Sequence, residues 1–199
     1  MSRDANSTNQ VKNTLCKNKH GIIDFIPQAN WHWLFDHNRA TLTLNMGVGA
    51  IDIVYKPAML TLQFDQPVFF TMEDVADYID LFEGAALADY PPELRCNIIL
   101  HVLAANRFHK PIMPKNWLFE SNADEQHQVN KGDQVILISS AVKEAKKYFV
   151  LDNSDDFILC MLIEKSHGLT FSRNFVQFQV VKVTYDKISA TKADCNTLC

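Results

Sequence analysis

This chain has little glycine, no clustered cysteine, no long apolar run and no excess of positive charge, and each shortage closes off a class of function. Six of its 199 residues are glycine, about 3% where ~7% is usual. Glycine-rich turns are where phosphate cradles and strained nucleophile elbows are built. Gly47-Val-Gly49 is a lone Gly-x-Gly that follows a strand pattern but opens no helix, so it reads as a hairpin turn. No Gly-x-Ser-x-Gly surrounds any serine. The five cysteines (Cys16, Cys96, Cys160, Cys195, Cys199) are odd in number, scattered and without a Cys-x-x-Cys, the usage of a reduced compartment. The longest apolar run, Phe157 to Ile163, is too short to span a bilayer. The first thirty residues lack the apolar core of a signal peptide. No membrane insertion is therefore expected, and the cytoplasm is the default location. A formal charge of -4 and a pI near 5.9 argue against general nucleic-acid binding.

Metal and catalytic signatures are equally thin. The seven histidines include no His-Glu-x-x-His and no pairing with cysteine at zinc spacing. His101 and His109 stand about two turns apart on one helix pattern, too far to share a metal without a third ligand. They read as surface or partly buried structural histidines. The acidic run Asp152 to Asp156 lacks the glycine and distal glutamate of a calcium loop and reads as a polar β-turn. The expectation is a non-enzyme without metal or cofactor.

What the chain does have is core material: 47% hydrophobic and 11% aromatic residues. Residues 1–29 read as a disordered N-terminal tail, polar up to about Lys19, and residues 191–199 as a C-terminal tail. Trp31 to Phe35 and Ala40 to Met46 flank the turn Asp36-His-Asn-Arg39 and predict a hairpin. Leu42, Leu44 and Met46 alternate with Thr41, Thr43 and Asn45, so one face is buried. Trp31 and Trp33 share a face and read as core aromatics. Ala50 to Tyr55 and Leu60 to Phe64, separated by Pro57, predict two further strands. Thr71 then caps a helix whose stripe is Val75, Tyr78, Ile79 and Phe82. Pro92 opens a second helix with Leu94, Ile98, Ile99, Val102, Leu103 and Ala105 at helical spacing. Beyond Trp117 helical periodicity disappears. Gln134 to Ser139, Lys147 to Leu151, Phe157 to Ile163, Leu169 to Ser172 and Phe175 to Tyr185 read as strands, with Ser166-His-Gly168 as a turn. The fold class is α+β in two domains: an α/β layer of about four strands and two helices over residues 30–115, and a small β-barrel-like domain over 116–190.

The switch falls at Lys110-Pro-Ile-Met-Pro-Lys-Asn-Trp117. Pro111 cannot continue the helix and disfavours helical backbone before it, and Pro114 keeps the residues after it extended. The segment is stiff and carries two long cations and a large aromatic. It reads as an ordinary helix stop, or as a domain junction, a preorganised recognition surface, or both. On the final long strand, Lys182 and Lys187 join Lys110 and Lys115 as a candidate basic rim around apolar residues, suited to an acidic protein partner.

Asn30-Trp-His-Trp33, Leu42-Thr-Leu44 with Gly47, Met59-Leu60, Val102-Leu-Ala-Ala-Asn-Arg107 and the Lys110 to Phe119 block resemble the ZapC family of bacterial cell-division proteins, with Ile158 to Leu162 and Val181-Lys-Val183 in support. The likeness covers roughly residues 30–190. It implies an α/β domain followed by a β-barrel-like domain, and a cytoplasmic protein that joins the Z-ring at midcell. It further implies binding to the globular core of the tubulin-like GTPase FtsZ, lateral bundling of FtsZ protofilaments and lowered GTP turnover. A pocket on each domain is implied, with Lys110, Lys115, Lys182 and Lys187 rimming the C-terminal one and Leu42 lining the N-terminal one. Lys187 stands where the family can show arginine. The expected partner is FtsZ, with no nucleic acid, and the protein is expected to act as a monomer. The alternative is a small β-barrel RNA-binding protein using Lys182, Lys187 and neighbouring aromatics, against which stand the net charge and the lack of a stacking motif.

Overall fold

The computed structural model describes residues 26–47, 49–61, 64–122 and 128–190. Nearly all of the expected leading tail and the whole closing tail lie outside these residues. The first sheet has four antiparallel strands in the order β3-β2-β1-β4: β1 (His32–Asp36), β2 (Thr41–Asn45), β3 (Ala50–Asp52) and β4 (Val68–Phe69). The β1–β2 register sets Trp33 opposite Leu44 and Phe35 opposite Leu42, with all four side chains buried. Trp31 and Trp33 are core residues as expected.

The fourth strand differs from the expectation. Of the expected strand Leu60 to Phe64, residues 62 and 63 lie outside the described residues; Pro57 starts a 3-10 turn, Pro57–Met59, and Leu60 forms an isolated bridge to His109. Val68–Phe69 pairs with β1 instead. Two residues after Asp65-Gln-Pro67 are too short to show an alternating pattern.

α1 (Met72–Glu83) starts in a reciprocal cap, in which Thr71 Oγ1 accepts from the Asp74 amide and the Asp74 carboxylate accepts from the Thr71 amide. The same carboxylate pairs with Arg107 at the far end of α2, tying the start of one helix to the end of the other. Tyr78 is buried on its stripe with Val75, Leu81 and Phe82 partly covered, while Ile79 points outward at 40% exposure.

α2 (Pro92–Phe108) is the centre of the molecule. Every residue from Cys96 to Ala105 is buried, including Asn97 and His101. One side packs on the first sheet, with Phe108 edge-on to Trp33 at 5.5 Å, and Tyr78 of α1 reaches Cys96. The opposite side meets the second sheet: His101 stacks on Phe178 at 3.8 Å, and Tyr55, itself buried, bridges the His101 carbonyl and Met161 Sδ.

The second sheet holds five antiparallel strands in the order β10-β7-β6-β5-β11: β5 (Gln134–Ile138), β6 (Ala145–Asn153), β7 (Phe157–Leu162), β10 (Val180–Thr184) and β11 (Ile188–Ala190). It curls into a half-barrel. One 3-10 turn, Tyr185–Lys187, carries the chain from one edge to the other, so the last strand pairs with the first. β8 (Ser166–Thr170) and β9 (Arg173–Val176) form a separate hairpin. The expected turn at Ser166 to Gly168 is therefore strand. The expected single strand from Phe175 to Tyr185 is broken by Phe178, which has φ +67°. A bulky residue takes that left-handed conformation only where its surroundings hold it there. Here the Phe178 amide donates to the Leu162 carbonyl, the Gln179 amide closes the turn onto the Val176 carbonyl, and the Phe178 ring stacks on His101.

The sheet has two dry faces. Phe149, Leu151, Met161 and Ile163 join the α2 core, whereas Tyr148, Val150, Cys160 and Leu162 point into the half-barrel with Phe119 and Phe175. One apolar core thus runs from the first sheet through α2 into the second, across the boundary between the two expected domains.

His101 lies wholly buried rather than at or near the surface. Its Nδ1–H donates to the Asn97 carbonyl at 2.8 Å, and burial pushes its pKa from 6.5 to about 4. Between these values the unfolded chain binds a proton that the folded chain refuses, so stability is complete above pH 6.5 and falls as pH drops toward 4. The loss should reach about 3 kcal/mol at the lower end. Urea unfolding at stepped pH checks it. His101→Leu should remove this contribution and leave a smaller slope from His109 and His167, which burial depresses in the same direction.

Candidate functional site

The Lys110 to Lys115 strap is stitched to both halves of the molecule. The Lys110 amide donates to the Met59 carbonyl at 2.7 Å, and the Lys115 amide donates to the Lys182 carbonyl on β10 at 2.8 Å. Prolines 111 and 114 lie between these two bonds, where the chain needs no amide for a ladder. The strap ends in a 3-10 turn, Asn116–Leu118, fixed when Asn116 Oδ1 accepts from the Thr184 amide at 3.0 Å. Met113 and Trp117 are left exposed at 79% and 70%.

Beside the strap, a cleft of about 510 Å³ opens between the end of α2 and the edge of the second sheet. Its apolar floor comes from Leu151, Phe157 and Leu159, and its cations are Lys110, Lys131 and Lys182. Lys110 Nζ is anchored by the Ala58 carbonyl at 3.2 Å. Lys182 Nζ lies 4.5 Å from the centre of the Phe157 ring, close enough for a cation–π attraction. His109 donates from Nδ1 to the Lys110 carbonyl, and burial lowers its pKa, so the imidazole at the cleft is neutral near pH 7. A floor of this kind takes an apolar group, and the ammonium groups around it take carboxylates.

Two of the four lysines read as a rim, Lys110 and Lys182, line this cleft. Lys115 lies beside it: its Nζ sits 5.6 Å from the Phe175 ring centre, and burial, with Arg173 nearby, depresses its pKa. Lys187 lines a separate cleft of about 170 Å³ with Glu120 and Ser189. There it pairs with Asp186 at 2.9 Å, with 14% of its side chain exposed. The Ser121 and Thr184 hydroxyls, with Lys187 after them, hold Asp186 at a pKa of about 2. Leu42 is fully buried opposite Phe35 and lines neither cleft.

The cleft also contains Lys131 from the Asn130 to Asp133 turn and Asp77 on α1, which sequence reasoning passed over, and Asp152, expected in a polar turn but placed on β6. In the sequence Lys131 is one more turn lysine and Asp77 one more residue on a wet helix face. Only the packing of α1 beside the start of β5 brings them together. That packing is supported by Gln134, whose side-chain amide donates to the Ala86 carbonyl just after α1.

The stiffness of the strap can be measured. Pro111→Gly and Pro114→Gly should each lower stability by about 0.4–1 kcal/mol, acting through the wider conformational freedom of the unfolded chain. Urea unfolding midpoints with unchanged m-values would show this.

Comparison with known proteins agrees with the two-part architecture. Family models described as the N-terminal and C-terminal parts of cell-division protein ZapC match residues 24–110 and 111–194. The chain is 78% identical over 184 residues to the cell division protein ZapC of Psychromonas ingrahamii, which covers 92% of this chain and 98% of that one. It is 28% identical over 167 residues to the ZapC of Musicola paradisiaca, covering 83% of this chain and 89% of the relative. With the ZapC of Proteus mirabilis the identity is 29% over 167 residues, covering 82% and 88%.

Proposed function

The chain belongs to the ZapC family of cell-division proteins, and on that premise we propose that it is a non-enzymatic adaptor of the division ring that binds the globular core of FtsZ. The observation that carries this reading is the cleft beside the Lys110 to Lys115 strap, with lysines standing over an apolar floor. Such a surface suits a protein segment with carboxylates flanking an apolar side chain. Lys110 and Lys182 make the central contact, and Lys115 adds positive potential from the side. Lys187 and Leu42, enclosed by their own neighbours, act by holding the shape of their halves. Bound to FtsZ at midcell in the cytoplasm as a monomer, the protein bundles protofilaments laterally. Lateral contacts slow subunit exchange, and GTP turnover falls with it.

Co-sedimentation with FtsZ and GTP tests the reading. The protein should enter the pellet with FtsZ and thicken its filaments, and FtsZ GTPase activity should fall as bundling rises. Lys110→Glu combined with Lys182→Glu should abolish pelleting by adding repulsion, while single alanines weaken it by about 0.2–1 kcal/mol each. The double variant should keep its fold, because Lys110 is exposed and Lys182 only partly covered. An unchanged FtsZ pellet across a range of ratios would overturn the assignment.

A further inference from the structure

The cleft carries its own counter-ion. Lys131 Nζ stands 4.0 Å from the Asp77 carboxylate, with both side chains about half exposed, at 52% and 50%. The pair crosses from α1 to the turn before β5, and both residues line the cleft. The lysine's backbone is fixed. Asp133 accepts from the Asn130 amide at 2.7 Å, the Asp133 amide returns a bond to the Asn130 carbonyl, and the Gly132 amide donates to the Val150 carbonyl. Gly132 holds φ +96°, which closes this turn and presents Lys131 toward the cleft. The Asp77 backbone is fixed in the middle of a capped helix. Two rigid supports therefore hold an ion pair at its outer distance limit, in water, where it is held weakly.

Of the cleft's other cations, Lys110 gives its ammonium to a neutral carbonyl and Lys182 to an aromatic face. Among the described residues, Lys131 alone of the three is paired with a carboxylate there. We propose that Lys131 is a third binding cation of the cleft and that Asp77 is its resident placeholder, a carboxylate that an incoming acidic segment with an apolar side chain displaces. Charge selects that occupant. The cleft has three lysines against two aspartates, Asp77 and Asp152, and an arriving carboxylate meets Lys131 at the cost of one loose, exposed pair. The naming of the partner as an acidic segment of FtsZ rests on the function proposed above, whereas the placeholder rests on the geometry alone.

The test uses the full chain and two readouts. Anilinonaphthalene sulfonate, an anion with an apolar body, is titrated against the wild type, Asp77→Asn and Lys131→Met, and the same proteins are titrated with FtsZ. Asp77→Asn should bind the dye about two- to five-fold tighter at low salt, with the gain fading as salt screens the site. Lys131→Met should bind it weaker by a similar factor. Melting temperatures within a few degrees of wild type are expected for both, since the side chains are half exposed. FtsZ affinity should move in the same directions. Dye affinity unchanged in Asp77→Asn overturns the placeholder. A tighter dye site in Asp77→Asn with no FtsZ binding by any of the three proteins upholds the placeholder and overturns the choice of FtsZ as its occupant.

Discussion

The structure depends on a helix that has no wet side. From Cys96 to Ala105 α2 must be covered all round, and neither sheet can cover it alone. A four-stranded sheet with a two-residue outer strand shields one side, and the outer face of the half-barrel shields the other. At about 25 cal/mol per Å² of apolar surface, a second layer of large side chains over such a helix outweighs the cost of ordering the strands that bring it. The C-terminal sheet is therefore apolar on both faces. It serves the helix with one and its own interior with the other, which is why Phe149 and Val150, neighbours in sequence, belong to different clusters.

This arrangement also makes the cleft. Where α2 ends, the chain has to leave the middle of the sandwich without spending backbone amides. Two prolines do that, and the hydrogen bonds at Lys110 and Lys115 fix the exit to both layers. The gap left beside this exit is floored by apolar side chains of β6 and β7 and rimmed by side chains long enough to reach water. The helix stop and the recognition surface proposed above are built on one segment.

Local signals in the sequence were legible because their physics is local. The hairpin at Asp36 to Arg39, the Thr71 cap, the proline entry and exit of α2 and most of the later strands come from neighbours a few residues apart. Several things were hidden. His101 and Asn97 look like a polar helix face until a second sheet arrives from more than forty residues downstream. The break at Phe178 is hydrogen-bonded to β7 and stacked on a ring of α2, and no glycine or proline nearby in sequence announces it. Val68–Phe69 is too short to alternate. Lys110 stands out in the proline strap and Lys182 in an apolar strand, and the strap's hydrogen bond to β10 brings the two together. Lys131 and Asp77 belong to no motif and become neighbours only through the packing of α1.

The buried helix has a consequence for synthesis. Its far cover includes Phe178, about 70 residues after α2 ends. At roughly 5–20 residues per second, a ribosome needs about 4–14 seconds to deliver that cover. During this interval the nascent chain carries an apolar helix with one flank bare, held only by the first sheet and α1. The molecule closes when its last third arrives, and a chain stalled before β10 would present that flank to chaperones or to other nascent chains.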